Sequence, residues 1–187
     1  ATKQIAIGNG AGGAELNTGL NTIAIGNSAL GIRSSKNGNG NIAIGQLAQY
    51  SNTGGADNVA IGNSALYSNS TGNENTAVGL NALQSNSADG NAAFGAYALA
   101  ANNTGTNNVA VGYGAAANNI TGVYNNVLGF QAMNSNISGS YNSVLGGWSL
   151  ISNTTGSYNT ALGYQALRNN QTGSSSVAVG WWALYGT

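Results

Sequence analysis

A short apolar step recurs along this chain, and each time it stops on a glycine. Those glycines are Gly8, Gly26, Gly45, Gly62, Gly79, Gly95, Gly112, Gly129, Gly146, Gly163 and Gly180, spaced 18, 19, 17, 17 and 16 residues apart and then five times 17. The chain is therefore eleven copies of a unit of about 17 residues. One residue before the glycine is always apolar: Ile7, Ile25, Ile44, Ile61, Val78, Phe94, Val111, Leu128, Leu145, Leu162 and Val179. Two before is always Ala or Val, and four before is Asn in eight copies. Three after is Ala in ten copies, four after is Leu in seven, seven after is Asn in eight, and ten after is Gly in seven.

Such a unit is too short for a helix pair, which needs about 34 residues. Gly and Asn inside every period also oppose helix. The pattern predicts two short strands per unit. One is N-x-A-[IVL]-G and the second lies around the Ala-Leu pair. The N-x-T-G segment is expected to turn, with Asn and Gly accepting positive φ. Stacked coils of this kind give an all-β parallel β-roll or β-solenoid, rising about 4.8 Å per coil and about 50 Å overall.

Alternation along a strand assigns residues to faces. The positions one and three before glycine share a face. The always-apolar column from Ile7 to Val179 is expected to fill the coil interior. The position three before weakens to Thr76, Asn126, Ser143 and Thr160, which reads as a margin. The Ala and Gly columns then form an outer face, smooth enough for another chain to approach. A single stack has a thin core, so an oligomer is expected.

The 187 residues read as one repeat domain. Its coils are irregular with longer connections over 1–45, regular over 46–187, and rich in aromatics after 94. Composition narrows the function further. Only 4% of residues are charged, Lys plus Arg equals Asp plus Glu at 4 each, and there is no Cys, His or Pro. Disulfides, thiol or Ser-His-Asp catalysis and the usual zinc sites are excluded. No basic excess offers a footprint for nucleic acid, and no apolar run approaches a membrane span. The chain starts at Ala1 with no visible signal peptide, which reads as a processed chain or a fragment. No cofactor or metal is expected.

The segments NVAIGNSA (58–65) and NVAVGYGA (108–115) resemble the head repeat of trimeric autotransporter adhesins, the YadA-like heads. The resemblance covers essentially the whole chain. It implies a left-handed parallel β-roll, three of which associate about a common axis on a cell surface. The family's common unit is about 14 residues long, so these units are longer, with the extra residues in the N-x-T-G segment. Units of the NTALGYQAL type also look like those of phage tail-fibre proteins. The resemblance implies no chemistry.

Three groups of side chains are candidates for function. Tyr124, Tyr141 and Tyr158 occupy one column on consecutive coils. Tyr113, Phe130, Tyr164 and Trp181 share the column after glycine, and Tyr97, Trp148 and Trp182 lie one position on. An aromatic ladder of Tyr124, Tyr141, Tyr158, Trp148, Tyr164 and Trp181 would suit sugar rings or a protein partner. The same rings would equally serve to stack along the rod. Asp57 and Glu74 stack on neighbouring coils, with Asp89 near the same edge. They read as solvated turn residues, with a glycosidase pair or Ca²⁺ site as the sharper alternative. Asn69, Asn102, Asn119, Asn136, Asn153 and Asn170 each begin N-x-[ST], and read as turn residues able to form amide ladders rather than as glycosylation acceptors. A single Thr rank gives weak support for ice binding. Lys3, Arg33, Lys36 and Arg168 are scattered, and 31–40 reads as a surface loop.

Together these features predict a non-enzymatic, extracellular, homotrimeric rod, an adhesin head or virion-fibre segment that displays a surface and attaches to glycan or another receptor. The alternative is a matrix filament built by stacking uncapped solenoid ends.

Overall fold

A computed structural model of the chain describes residues 4–13, 21–31 and 38–186. Residues 32–37 of the expected 31–40 loop, with Arg33 and Lys36, therefore lie outside the described residues, as does Lys3. The fold is all-β. Eleven strands form one parallel sheet in chain order: β1 (Gln4–Ile7), β2 (Thr22–Ile25), β3 (Ile42–Ile44), β4 (Val59–Ile61), β5 (Thr76–Val78), β6 (Ala92–Phe94), β7 (Val109–Val111), β8 (Asn126–Leu128), β9 (Ser143–Leu145), β10 (Thr160–Leu162) and β11 (Val177–Val179). The register pairs each column with itself, as in Val59–Ala60–Ile61 beside Thr76–Ala77–Val78. The chain is a parallel β-solenoid of about ten turns between eleven strands.

Among the described residues each coil has one strand rather than two. The expected second strand around the Ala-Leu pair is a turn, because φ is +54° at Ser64 and +51° at Leu66, and +49° at both Gln131 and Met133. Extended backbone needs negative φ. The coils remain bonded to one another there: the Leu66 N–H donates to Ala82 O at 3.0 Å, and the Met133 N–H to Ser149 O at 2.9 Å.

The two faces of the sheet are the reverse of the expectation. Ala24, Ala43, Ala60, Ala77, Ala93, Ala110, Val127, Val144, Ala161 and Ala178, two before ten of the eleven glycines, are buried in the core, while Ala6 on the first strand is exposed. Ile7, Ile61, Phe94, Leu128, Leu145, Leu162 and Val179 are exposed, while Ile25, Ile44, Val78 and Val111 are half-buried. The cause is thickness. The coil is so flat that midway along the strand its interior holds only an Ala or Val, packed with the Ala and Leu of the opposite turn, such as Ala65 and Leu66 or Ala82 and Leu83. The larger aliphatic beside each small residue must then face out.

Two columns of buried Asn complete the interior. In the column four before glycine, Asn125 Nδ2 donates to Asn108 Oδ1 at 3.2 Å and to Gly139 O at 2.9 Å. Asn125 Oδ1 accepts from the N–H and Nδ2 of Asn142, both at 3.0 Å. The second column repeats the scheme: Asn119 Nδ2 donates to Asn102 Oδ1 at 2.7 Å and to Gly122 O at 3.0 Å. Most of these buried amides thus satisfy one another and the turn carbonyls between them, Asn153 Oδ1 being without a partner.

The glycine of the N-x-T-G turn has a different role from the expected one. Gly122 has no positive φ; instead, a Cβ there would lie 2.3 Å from Gly139 O and 2.4 Å from Asn119 Oδ1. Close stacking, not backbone sign, requires glycine. This turn also absorbs length differences. In the 16-residue coil, Asn86 Nδ2 donates to Ala88 O at 2.8 Å, two residues on, where other coils reach three residues to a glycine.

Candidate functional site

The six predicted aromatic residues fall into three clusters. Tyr124, Tyr141 and Tyr158 form one stack, with centroids 5.3 and 5.0 Å apart and planes within 13° of parallel. All three have φ between +55° and +61°. That conformation is costly for a bulky residue and often marks a functional site. Here it does not discriminate, because Asp57, Glu74, Asn107 and Ser175 have the same φ range at the same place in other coils. Tyr141 is sandwiched between its two neighbours, so only Tyr124 and Tyr158 keep a face free of another ring.

Trp148 and Tyr164 belong to a second ladder with Tyr97, Tyr113 and Phe130, each ring 5.5–5.8 Å from the next. Only Tyr113 and Phe130 are parallel, at 15°; the other contacts are edge-on, at 68° to 85°. Trp148 Nε1 donates to Gln131 Oε1 at 2.8 Å and fixes that amide. Trp181 instead stacks on Trp182 at 4.5 Å, which in turn stacks on Tyr185 at 5.0 Å. Sequence reasoning missed the pair Tyr50–Tyr67, 5.4 Å apart and parallel within 10°. Their equal offset from Gly45 and Gly62 was the available signal.

Asp89 Oδ1 accepts from the N–H and Nδ2 of Asn73, at 2.7 and 3.2 Å, as a turn residue does. Among the described residues no group of three or more His, Cys, Asp or Glu side chains comes together. The N-x-[ST] asparagines are buried, and in Asn119 the amide nitrogen that would carry a glycan is bonded on both sides. The threonines of those motifs are exposed in a single rank.

The outward face of the sheet is an extended feature of the described surface. Val109, Val111, Leu128, Leu145 and Leu162 line an open apolar trough of about 350 Å³ across β7 to β10. Leu128 and Leu145 are each 47% exposed and sit in register. Contiguous exposed apolar surface of this kind marks an interaction face.

Compared with protein-family models, with curated proteins and with solved structures, the chain matches none.

Proposed function

We propose that the chain is a non-enzymatic segment of an extracellular attachment fibre, whose rods associate side by side, three to a bundle, and hold a binding surface away from a cell or virion. The observation that carries this reading is the apolar outer face of the sheet, repeated coil after coil with Leu128, Leu145 and Leu162 at its centre. No other element of the described chain packs over it. Covering it along its length requires a parallel partner with the same 17-residue period, and another copy supplies one. The number three, the left-handed winding and the adhesin or tail-fibre setting come from the resemblance of NVAIGNSA and NVAVGYGA to autotransporter heads. The scarcity of charged residues, and the lack among the described residues of any group of three or more His, Cys, Asp or Glu, support a binding role over a catalytic one.

The test is mass against concentration by sedimentation, on the chain and on the double variant Leu128→Lys with Leu145→Lys. A concentration-independent trimer that the double variant converts to folded monomer supports the proposal. A wild-type monomer up to millimolar concentration would overturn it. Open-ended growth with concentration would favour the matrix filament instead.

A further inference from the structure

A second concavity lies away from the sheet face and shares no lining residue with the apolar trough. It is a notch of about 370 Å³ in the coils that start at Gly95 and Gly112. It exists because small residues interrupt columns that are large elsewhere. Ala100 and Ala117 stand where other coils have Tyr67, Gln84 or Arg168, and Gly114 stands where they have Gln131 or Trp148.

The chemistry around the notch is specific. Tyr97 and Tyr113 form one wall, their rings 5.8 Å apart at 70°, so that they make a corner rather than a stack. Among the described residues Tyr97 touches no ring besides Tyr113, so one of its faces stays free of aromatic contact beside the notch. Gln84 and Gln131 flank the notch along the rod. Trp148 holds Gln131 Oε1, which leaves the Gln131 amide hydrogens to donate. On the far wall Asn134 is fully engaged: its Nδ2 donates to Gly114 O at 2.9 Å and its Oδ1 accepts from Asn118 Nδ2 at 3.3 Å. That arrangement leaves Asn118 Oδ1 to accept. No charged side chain lines the notch.

The geometry points to a binding site for a neutral oligosaccharide, one pyranose ring resting on Tyr97 and its hydroxyls bonded to Asn118, Gln131 and Gln84. Sugar rings present an apolar C–H face and hydroxyls that both donate and accept, which matches an aromatic corner beside planar amides. An anionic ligand would require a cation that the notch lacks. Coils about 4.8 Å apart also roughly match the rise per ring of an extended β-1,4-linked chain, so a bound chain runs along the rod. The inference rests on the reading of the chain as an exposed attachment rod and names the ligand class it takes.

The experiment is isothermal titration of the full chain with hexasaccharides of β-1,4-glucose, β-1,4-N-acetylglucosamine, α-1,4-glucose and β-1,3-glucose, with polygalacturonate as the charged control. At least one neutral hexasaccharide is expected to bind. Tyr97→Ala and Gly114→Gln are each expected to weaken it tenfold or more, and Tyr141→Ala to leave it unchanged. Gly114→Gln keeps the fold intact, since Gln131 and Gln165 occupy the same column at φ +49° and +58°. A Cβ at Gly114 would meet only the side chains of Asn134 and Gln131, at 3.3 and 3.5 Å. No neutral sugar binding, preference for polygalacturonate, or binding undiminished in Gly114→Gln would overturn the inference. Sedimentation of the same sample keeps the two readings separate, because a trimer that binds no sugar sinks only the notch, and a monomer that binds sugar sinks only the bundle.

Discussion

At the scale of single residues, the interior is governed by hydrogen-bond satisfaction and by space. Asn125 bonds to the coils on both sides, through Asn108 on one and through Asn142 and Gly139 on the other. Asn125→Ala orphans the Asn142 N–H and removes a donor from Gly139 O, which should cost about 2–4 kcal/mol in urea unfolding. Glycines divide by what surrounds them. Gly122→Ala drives a methyl into Gly139 O and should cost about 3 kcal/mol or more. Gly54→Ala meets nothing within 4 Å and should change stability by less than about 0.5 kcal/mol. Place in the repeat separates the two cases: Gly122 and Gly55 stand ten after their coil's glycine and lie against the next coil, whereas Gly54 stands nine after, where Thr121 is in its coil. The need for glycine at Gly122 comes from the coil 17 residues on.

At the scale of the element, much of the fold is legible in the sequence, because columns in a repeat translate directly into register. The phase read from Gly8 to Gly180 is the phase of β1 to β11. Which face points inward is harder. Alternation groups the positions four, two and zero before glycine but does not say where the core lies. Assigning the larger aliphatics to the core fails because the flat coil has room on the strand side only for Ala or Val. Constancy of size was the better guide: the inward column is Ala or Val throughout, while the outward one ranges from Val78 to Phe94 and its neighbour falls to Asn126 and Ser143. The aromatic columns were legible as columns, but ring angle decides whether they show a face or an edge, and sequence has no handle on it. That angle carries a prediction. Tyr141→Ala removes both contacts of the stack and should lower stability by about 1–3 kcal/mol, with a loss of near-ultraviolet circular dichroism as the coupled rings separate.

For the whole molecule, each coil touches chiefly its two neighbours, so stability is close to a sum over coils. Removing residues 130–146 deletes one 17-residue period and joins equivalent positions. The shortened chain should fold, with the rod shorter by about 4.8 Å in small-angle scattering. A deletion of half that length throws the Asn ladders and glycines out of phase and should give no cooperative unfolding transition.

The strands lie across the rod, so the bonds between coils, such as Leu66 N–H to Ala82 O, run along its length. A rod tethered at one end and tugged at the other therefore meets the load one coil at a time. Each coil that yields releases 17 residues, about 55 Å of slack, before its neighbour bears the strain. In an optical trap, extension should show a train of nearly equal steps. A fibre made this way would give under shear, holding its grip by lengthening where a stiffer rod would tear free.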